Sequence, residues 1–189
     1  MPVIPPIINP GADVSNISVF RSMIGAAGGP GTQNRFYVMI NPPGALANDN
    51  YADMRYLTES AELPGRGLKT AEFRHYGPTF RRPYEVEYET IDLTLLCRDA
   101  YTERFAFDEW MRLISPNDNY DMEYPDDFEG SITIYTVSQT SDESYYRFIL
   151  QGAWPVMVSK QPMSWIEDQV QRLTVTFTYN QWAREAIDL

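Results

Sequence analysis

The 189 residues include a single cysteine and a single histidine, and the 15 basic side chains are outnumbered by 26 acidic ones. Each scarcity removes a class of function. Cys97 alone cannot form an intrachain disulfide, and a cysteine-based zinc site has no ligand set. Production in a reducing cytoplasm is the matching expectation. A formal charge of -11 argues against a surface that wraps DNA or RNA tightly, though not against one past which DNA slides. No run approaches the roughly 18 uncharged apolar residues that cross a bilayer. The opening MPVIPPIINPGAD has neither the basic start nor the unbroken apolar core of a signal peptide. The expectation is a soluble, unexported chain with no membrane-spanning segment.

Catalytic patterns are equally sparse. His75 sits between Arg74 and Tyr76 in a turn-like stretch, with no nucleophile or acid partner in a motif around it. Cys97 ends the apolar stretch LTLLC and reads as an inward-facing thiol, not a nucleophile. Asp118, Asp121, Glu123, Asp126 and Asp127 lack the ligand order and central glycine of a calcium loop, so a solvated acidic loop is expected and no metal is assigned. The glycines of AAGGPG follow no strand and match no phosphate-binding pattern. No cofactor is expected. Trp110, Trp154, Trp165 and Trp182 are too dispersed for a base-stacking platform and suit core or interface anchoring. A small acidic enzyme is the weaker alternative to a structural or binding protein.

What is present is a strand-rich pattern. Prolines at 2, 5, 6 and 10 make residues 1–16 an extended arm; a short helix over 18–24 and a Gly-rich hinge complete an N-terminal segment, 1–33. A single domain follows, 34–189, since a chain of this length supports one core. RFYVMI predicts its first strand, stopped by Asn41, Pro42 and Pro43. Residues 44–82 alternate poorly and are broken by Gly and Pro, which predicts either two irregular strands or a binding loop. PYEVEYETIDLTLLCRD is strongly β, but its apolar phase slips by one between Tyr88 and Ile91; a bulge, or a strand passing between layers, would reconcile the two halves.

TERFAFDEWMRLIS predicts a helix with Phe107, Trp110, Met111 and Ile114 on one face, Thr102 or Asp99 as cap, and Pro116 past its end. Trp110 is the expected anchor of that helix on the sheet. SITIYTV and YYRFILQGAW predict a hairpin. In the last hairpin Leu173, Val175, Phe177 and Tyr179 oppose Arg172, Thr174, Thr176, Thr178 and Asn180. The domain is therefore mainly β with one helix.

Two charge features stand out. Arg66, Lys69, Arg74, Arg81 and Arg82 give the middle region a local positive character, which a homo-oligomer can set against its acidic remainder. Glu85, Glu87 and Glu89 share one face of a strand, with Val86 and Tyr88 offered to a core on the other, and would line a lumen, form an exposed outer row, or pair with Arg74, Arg81 and Arg82 across a subunit boundary.

Three segments resemble the T4-type tail tube protein family of contractile bacteriophages. NRFYVMI followed by ESAELPGRG is similar to the family's first core strand and the segment before its long loop. TIDLTLLCRDAYTERFAFDEWMRLI resembles the central strand and helix, with Asp108, Glu109 and Trp110 matching its acidic-tryptophan run. LQGAWPVMVSKQPMSWIEDQVQRLTVTFTYNQW resembles the closing hairpin through Gly152 to Pro155 and Ser164 to Trp165. The resemblance implies a β-sandwich or partly closed barrel with a flanking α-helix, six copies of which form a ring. Rings stack into a hexameric tube in the virion, assembled in the host cytoplasm. It also implies partners: a contractile sheath outside, the tape measure protein inside, baseplate and tail terminator proteins at the ends, and double-stranded DNA in passage. Residues 44–82 would be an inter-subunit assembly loop. The proline-rich arm and glycine run depart from the pattern and leave open a specialised baseplate or tube-initiator ring, and Hcp-type secretion tubes are a further alternative.

Overall fold

The computed structural model describes residues 33–46, 49–74, 76–116, 121–137, 144–166 and 169–186. The predicted arm and short helix, and His75, lie outside them. Nine strands and few helices make up these residues: β1 (Phe36–Asn41), α1 (Asp49–Leu57), β2 (Thr58–Ala61), β3 (Gly67–Phe73), β4 (Phe80–Glu87), β5 (Ile91–Leu96), α2 (Thr102–Ile114), a single turn α3 (Pro125–Phe128), β6 (Gly130–Val137), β7 (Ser144–Val158), β8 (Arg172–Thr178) and β9 (Gln181–Ala186).

Seven strands form one antiparallel sheet in the order β1-β6-β7-β8-β5-β2, with β9 also on β7; β3 and β4 form a separate ribbon. The sheet does not close into a barrel. It folds over itself because β7 serves two layers. Its first part pairs with β6 and β9, and from Trp154 to Val158 it pairs with β8. Gly152 makes the corner. Its φ of 61° suits glycine, and a Cβ there would meet Asn180 Nδ2 at 2.3 Å. The GAWP run thus has a physical reading: Gly152 turns, Ala153 is buried, and Trp154 packs edge-on against Phe128 at 5.7 Å.

The layers bury alternate residues in one core. Val38, Ile40, Ile132, Ile134 and Leu150 come from the first layer; Ile91, Leu93, Leu95, Leu173, Val175 and Phe177 come from the second. The predicted stripe on β8 and β5 faces inward as expected. The passage between layers occurs at Gly152, not near Tyr88: the phase slip there is a break, with β4 ending at Glu87 and β5 starting at Ile91 in a different sheet.

Helix α2 flanks the core as predicted, with Ala106, Phe107, Trp110 and Ile114 buried. Trp110 is fully buried, meets Phe177 and Tyr51 edge-on, and donates from Nε1 to the Phe128 carbonyl at 2.9 Å. Gly130 leaves room for it, since a Cβ there would lie 3.0 Å from the indole. Neither proposed cap operates. The residue before the helix is Tyr101, left-handed at φ 52°, with no side-chain cap bond.

Glu103 binds the preceding turn instead. It accepts from the Arg98 backbone N–H at 3.1 Å and from Arg98 Nε at 2.5 Å, while Arg98 also reaches Asp53 at 3.1 Å. Burial of Glu103 opposes its charge, but the backbone N–H groups, Arg98 and Thr102 outweigh that and hold its pKa below the usual glutamate value.

A second helix joins α2. α1 falls inside the stretch expected to be irregular, and it buries Tyr51 and Met54. Tyr51 donates to the Ala106 carbonyl at 2.9 Å, and burial pushes its phenol pKa up. Residues 44–82 therefore divide: their first third is core, and only β3–β4 stands apart.

Candidate assembly interface

The β3–β4 ribbon contributes no residue to the core. Every residue of β4 is exposed, and β3 alternates only between exposed and half-buried. The large apolar side chains are in solvent too: Leu68, Phe73, Tyr76, Phe80, Tyr84 and Val86. Pro83 is tolerated because neither ribbon strand is central to a sheet, and the register shifts beside it, between Lys69 and Thr70.

Pairing sorts the ribbon's side chains. Lys69 opposes Glu85, Ala71 opposes Arg82 and Phe73 opposes Phe80, so these share a face; Leu68 opposes Val86 on the other. Lys69 Nζ sits 3.3 Å from Glu85 and 3.4 Å from Glu87, and those two carboxylates raise its pKa. Arg81 bonds Glu72 at 2.8 Å across the strands. Glu89 lies past the end of β4, so the three glutamates are not one strand row. Val86 is exposed, while Tyr88 leaves the ribbon and packs near Tyr179 at 5.9 Å.

The ribbon's root is clasped to the body. The Arg66 guanidinium lies 5.6 Å from the Tyr88 ring and 5.2 Å from the Trp182 ring, and Trp182 Nε1 donates to the Gly65 carbonyl at 3.0 Å. Tyr179 is buried there with its hydroxyl lacking a partner among the described residues; burial raises its pKa. Arg66, Lys69, Arg81, Arg82 and Arg74 thus all belong to the ribbon or its root, but they do different work. Arg66 anchors, Lys69 and Arg81 pair within the ribbon, and Arg82 flanks the Phe73–Phe80 pair.

The sequence did not reveal the Lys69 bridges, because they depend on the ribbon's register. It did place Cys97 as inward-facing; the thiol is half-buried, accepts from Gln161 Nε2 at 3.1 Å, and burial raises its pKa. Among the described residues no cluster of His, Cys, Asp and Glu is placed to hold a metal, and no helix is long and apolar enough to cross a membrane.

A β ribbon that exposes several aromatic side chains beside a sandwich with a flanking helix is the kind of apolar surface that marks an interaction site. The family model for phage tail tube proteins matches residues 31–185. The chain belongs to the phage tail tube protein family. As a tail tube protein it belongs to a family of structural tube components.

Solved structures agree on the fold. The sheath–tube complex of an extracellular contractile injection system (PVC), in its extended state, contains a chain that is 18% identical, with TM-score 0.62, 84% of this chain and 93% of that one covered. A chain of the anti-feeding prophage baseplate gives TM-score 0.64 at 16% identity, covering 85% and 98%. One from the cap terminating the anti-feeding prophage tube gives 0.63 at 17%, covering 84% and 92%. Hcp1 from Flavobacterium johnsoniae is more distant, at TM-score 0.47 and 12% identity over 80% and 95%. No curated protein matches the sequence.

Proposed function

We propose that this tail tube protein is the repeated inner tube subunit of a contractile phage tail. Six copies close a ring and rings stack inside a contractile sheath. The tube houses the tape measure protein before infection, conducts double-stranded DNA afterwards, and ends at baseplate and terminator proteins. In this reading it is assembled in the host cytoplasm and resides in the virion. The observation that carries the reading is the β3–β4 ribbon, whose Leu68, Phe73, Phe80, Tyr84 and Val86 side chains are exposed among the described residues and suit a neighbouring subunit.

Glu85 and Glu87 then belong to an inter-subunit boundary. Lys69 already draws both toward the ribbon, leaving a mixed-charge surface of the kind that sets partner choice more than a bare acidic lining does. Glu89 continues that boundary at the root. A lumen position for the three is the competing reading, and a tube reconstruction showing their carboxylates pointing into the channel would establish it.

Negative-stain microscopy of the purified chain tests the function. Hollow rods or stacked rings are expected; a particle that sediments as a 21.8 kDa monomer at all concentrations would overturn the reading. Ring-only particles that bind a baseplate component but never elongate would favour the specialised end-ring instead.

A further inference from the structure

Charge divides the β3–β4 ribbon along its length. Lys69 is held by Glu85 and Glu87, and Arg81 is held by Glu72. Arg82 and Arg74 meet no carboxylate among the described residues. Both adjoin the exposed Phe73–Phe80 pair, Arg82 on its face and Arg74 next to Phe73 in the chain. The tip therefore presents two uncompensated cations and two bare rings together, a combination that suits an interface anchor.

The complementary composition is found in the turn that carries α3. Residues 121–129 hold five carboxylates and no arginine or lysine. No basic side chain among the described residues bridges Glu123, Asp126 or Asp127, and Met122 and Tyr124 are exposed beside them. The backbone under this surface is fixed. The Phe128 carbonyl accepts from Trp110 Nε1 at 2.9 Å, the Glu123 N–H donates to the Ile114 carbonyl at 3.1 Å, and the Glu129 N–H donates to the Pro125 carbonyl at 2.8 Å. A platform already ordered loses little freedom on docking.

No ion pair joins Arg74 or Arg82 to the turn of the same chain. Tyr88 at the root packs near Tyr179, and the next residue, Asn180, donates to Glu129 at 2.9 Å, so root and turn are neighbours. The seven residues of β3, roughly 20 Å of ribbon, then separate the root from the tip. The arginines of the tip are left for the carboxylates of another molecule.

We infer that the ribbon tip docks on the 121–129 turn of a second copy, with Arg74 and Arg82 set against Glu123, Asp126 and Asp127, and Phe73 and Phe80 against Met122 and Tyr124. This rests on the tube reading above and names the surface that receives the ribbon. Because the two surfaces differ, each copy gives one contact and receives one, the heterologous arrangement that closes a ring or extends a stack. A formal charge of -11 makes copies repel in most approaches, and opposed patches select the approach that does not. When buried, Phe73, Phe80 and Tyr124 cover about 150–250 Å² each, which brings the contact to the few hundred Å² that mark an interaction surface.

Charge exchange in the full chain tests the pairing. One variant carries Arg74→Glu and Arg82→Glu; the other carries Asp126→Arg and Asp127→Arg. Each alone should raise the concentration at which rings or rods appear in negative stain at least about tenfold, with the unfolding midpoint of the subunit unchanged. Mixed in equal amounts they should assemble again near the unsubstituted concentration, since the altered surface of each then meets its complement on the other. Assembly of either variant alone at the unsubstituted concentration would overturn the contact, as would two defects that mixing leaves uncorrected. Normal rods of the turn variant that no longer bind sheath would assign the turn to the sheath and also overturn it.

Cross-linking gives an independent reading and serves where a reversal unfolds the subunit. In a Cys97→Ser background, copies with Arg82→Cys mixed with copies with Asp127→Cys should form mixed disulfide dimers in rods under mild oxidation; rods without that cross-link refute the pairing. If the unsubstituted chain forms neither rings nor rods, the tube reading itself fails and takes this contact with it.

Discussion

Strands β4 and β8 are alike in length and each alternates apolar with polar residues, β4 over Tyr84–Glu87 and β8 throughout, and they end in opposite environments. β8 buries Leu173, Val175 and Phe177 against the helix and the facing layer. β4 buries none of its eight residues. Alternation states that a strand has two unlike faces, but not what covers the apolar one. In the body the cover comes from the same chain, so stability there is internal. In the ribbon no described residue supplies that cover, and under the tube reading a neighbouring subunit does.

Breaking the body should be costly in a free subunit. Trp110→Ala removes a wholly buried indole and leaves the Phe128 carbonyl without its donor, for an expected loss of roughly 3 to 5 kcal/mol in denaturant unfolding. A loss below about 1 kcal/mol would mean the helix is not held through this residue.

Glu103→Gln comes next, at about 1.5–3 kcal/mol, because it discharges a buried acceptor of the Arg98 guanidinium. Its folded pKa is depressed, so this stabilisation is complete above the unfolded value of about 4.3 and declines as pH falls through the lower folded value. Acid unfolding curves should therefore be shallower for the glutamine variant than for the unsubstituted chain. Parallel curves would remove Glu103 from the account.

Gly152→Ala should cost about 1–2 kcal/mol in thermal or denaturant unfolding, from a left-handed alanine and a displaced Asn180 side chain. An unchanged midpoint would show that the corner can relax.

The smallest effect on the free subunit should come from the ribbon. Phe80→Ser is expected to shift unfolding by under about 0.5 kcal/mol while abolishing rods. Hydrogen exchange sharpens the same contrast: β3 and β4 amides should exchange quickly in the subunit and slowly in the tube, with β8 protected in both. Equal strong protection of the ribbon in both states would erase the distinction.

What could be read from the sequence follows the same division. The β8 stripe and the Phe107–Trp110–Ile114 face were legible because burial within the chain imposes a period. Glu103 was legible in principle, since it stands four residues before Phe107 on that same face, but a carboxylate there reads as a surface charge until its partner Arg98 is located. α1 was not: DNYADMRYL supplies two buried residues three apart, too little for a helical signal. QWAREA of β9 has helix-forming residues, and pairing with β7 overrides them. The bridge from Lys69 to Glu85 and Glu87 depends on a register that only the ribbon's turn and its shift beside Pro83 define. The exposed Trp165 carried a motif resemblance, yet sequence gives no measure of exposure.

The shared strand β7 has a mechanical consequence. Two layers held only by interdigitated side chains can shear by deforming those contacts. Here a continuous backbone runs from one layer into the other through Gly152, so a load along the layers strains covalent chain and two sets of strand pairings at once. Stiffness of that origin is set inside the chain itself, before it associates with any other copy.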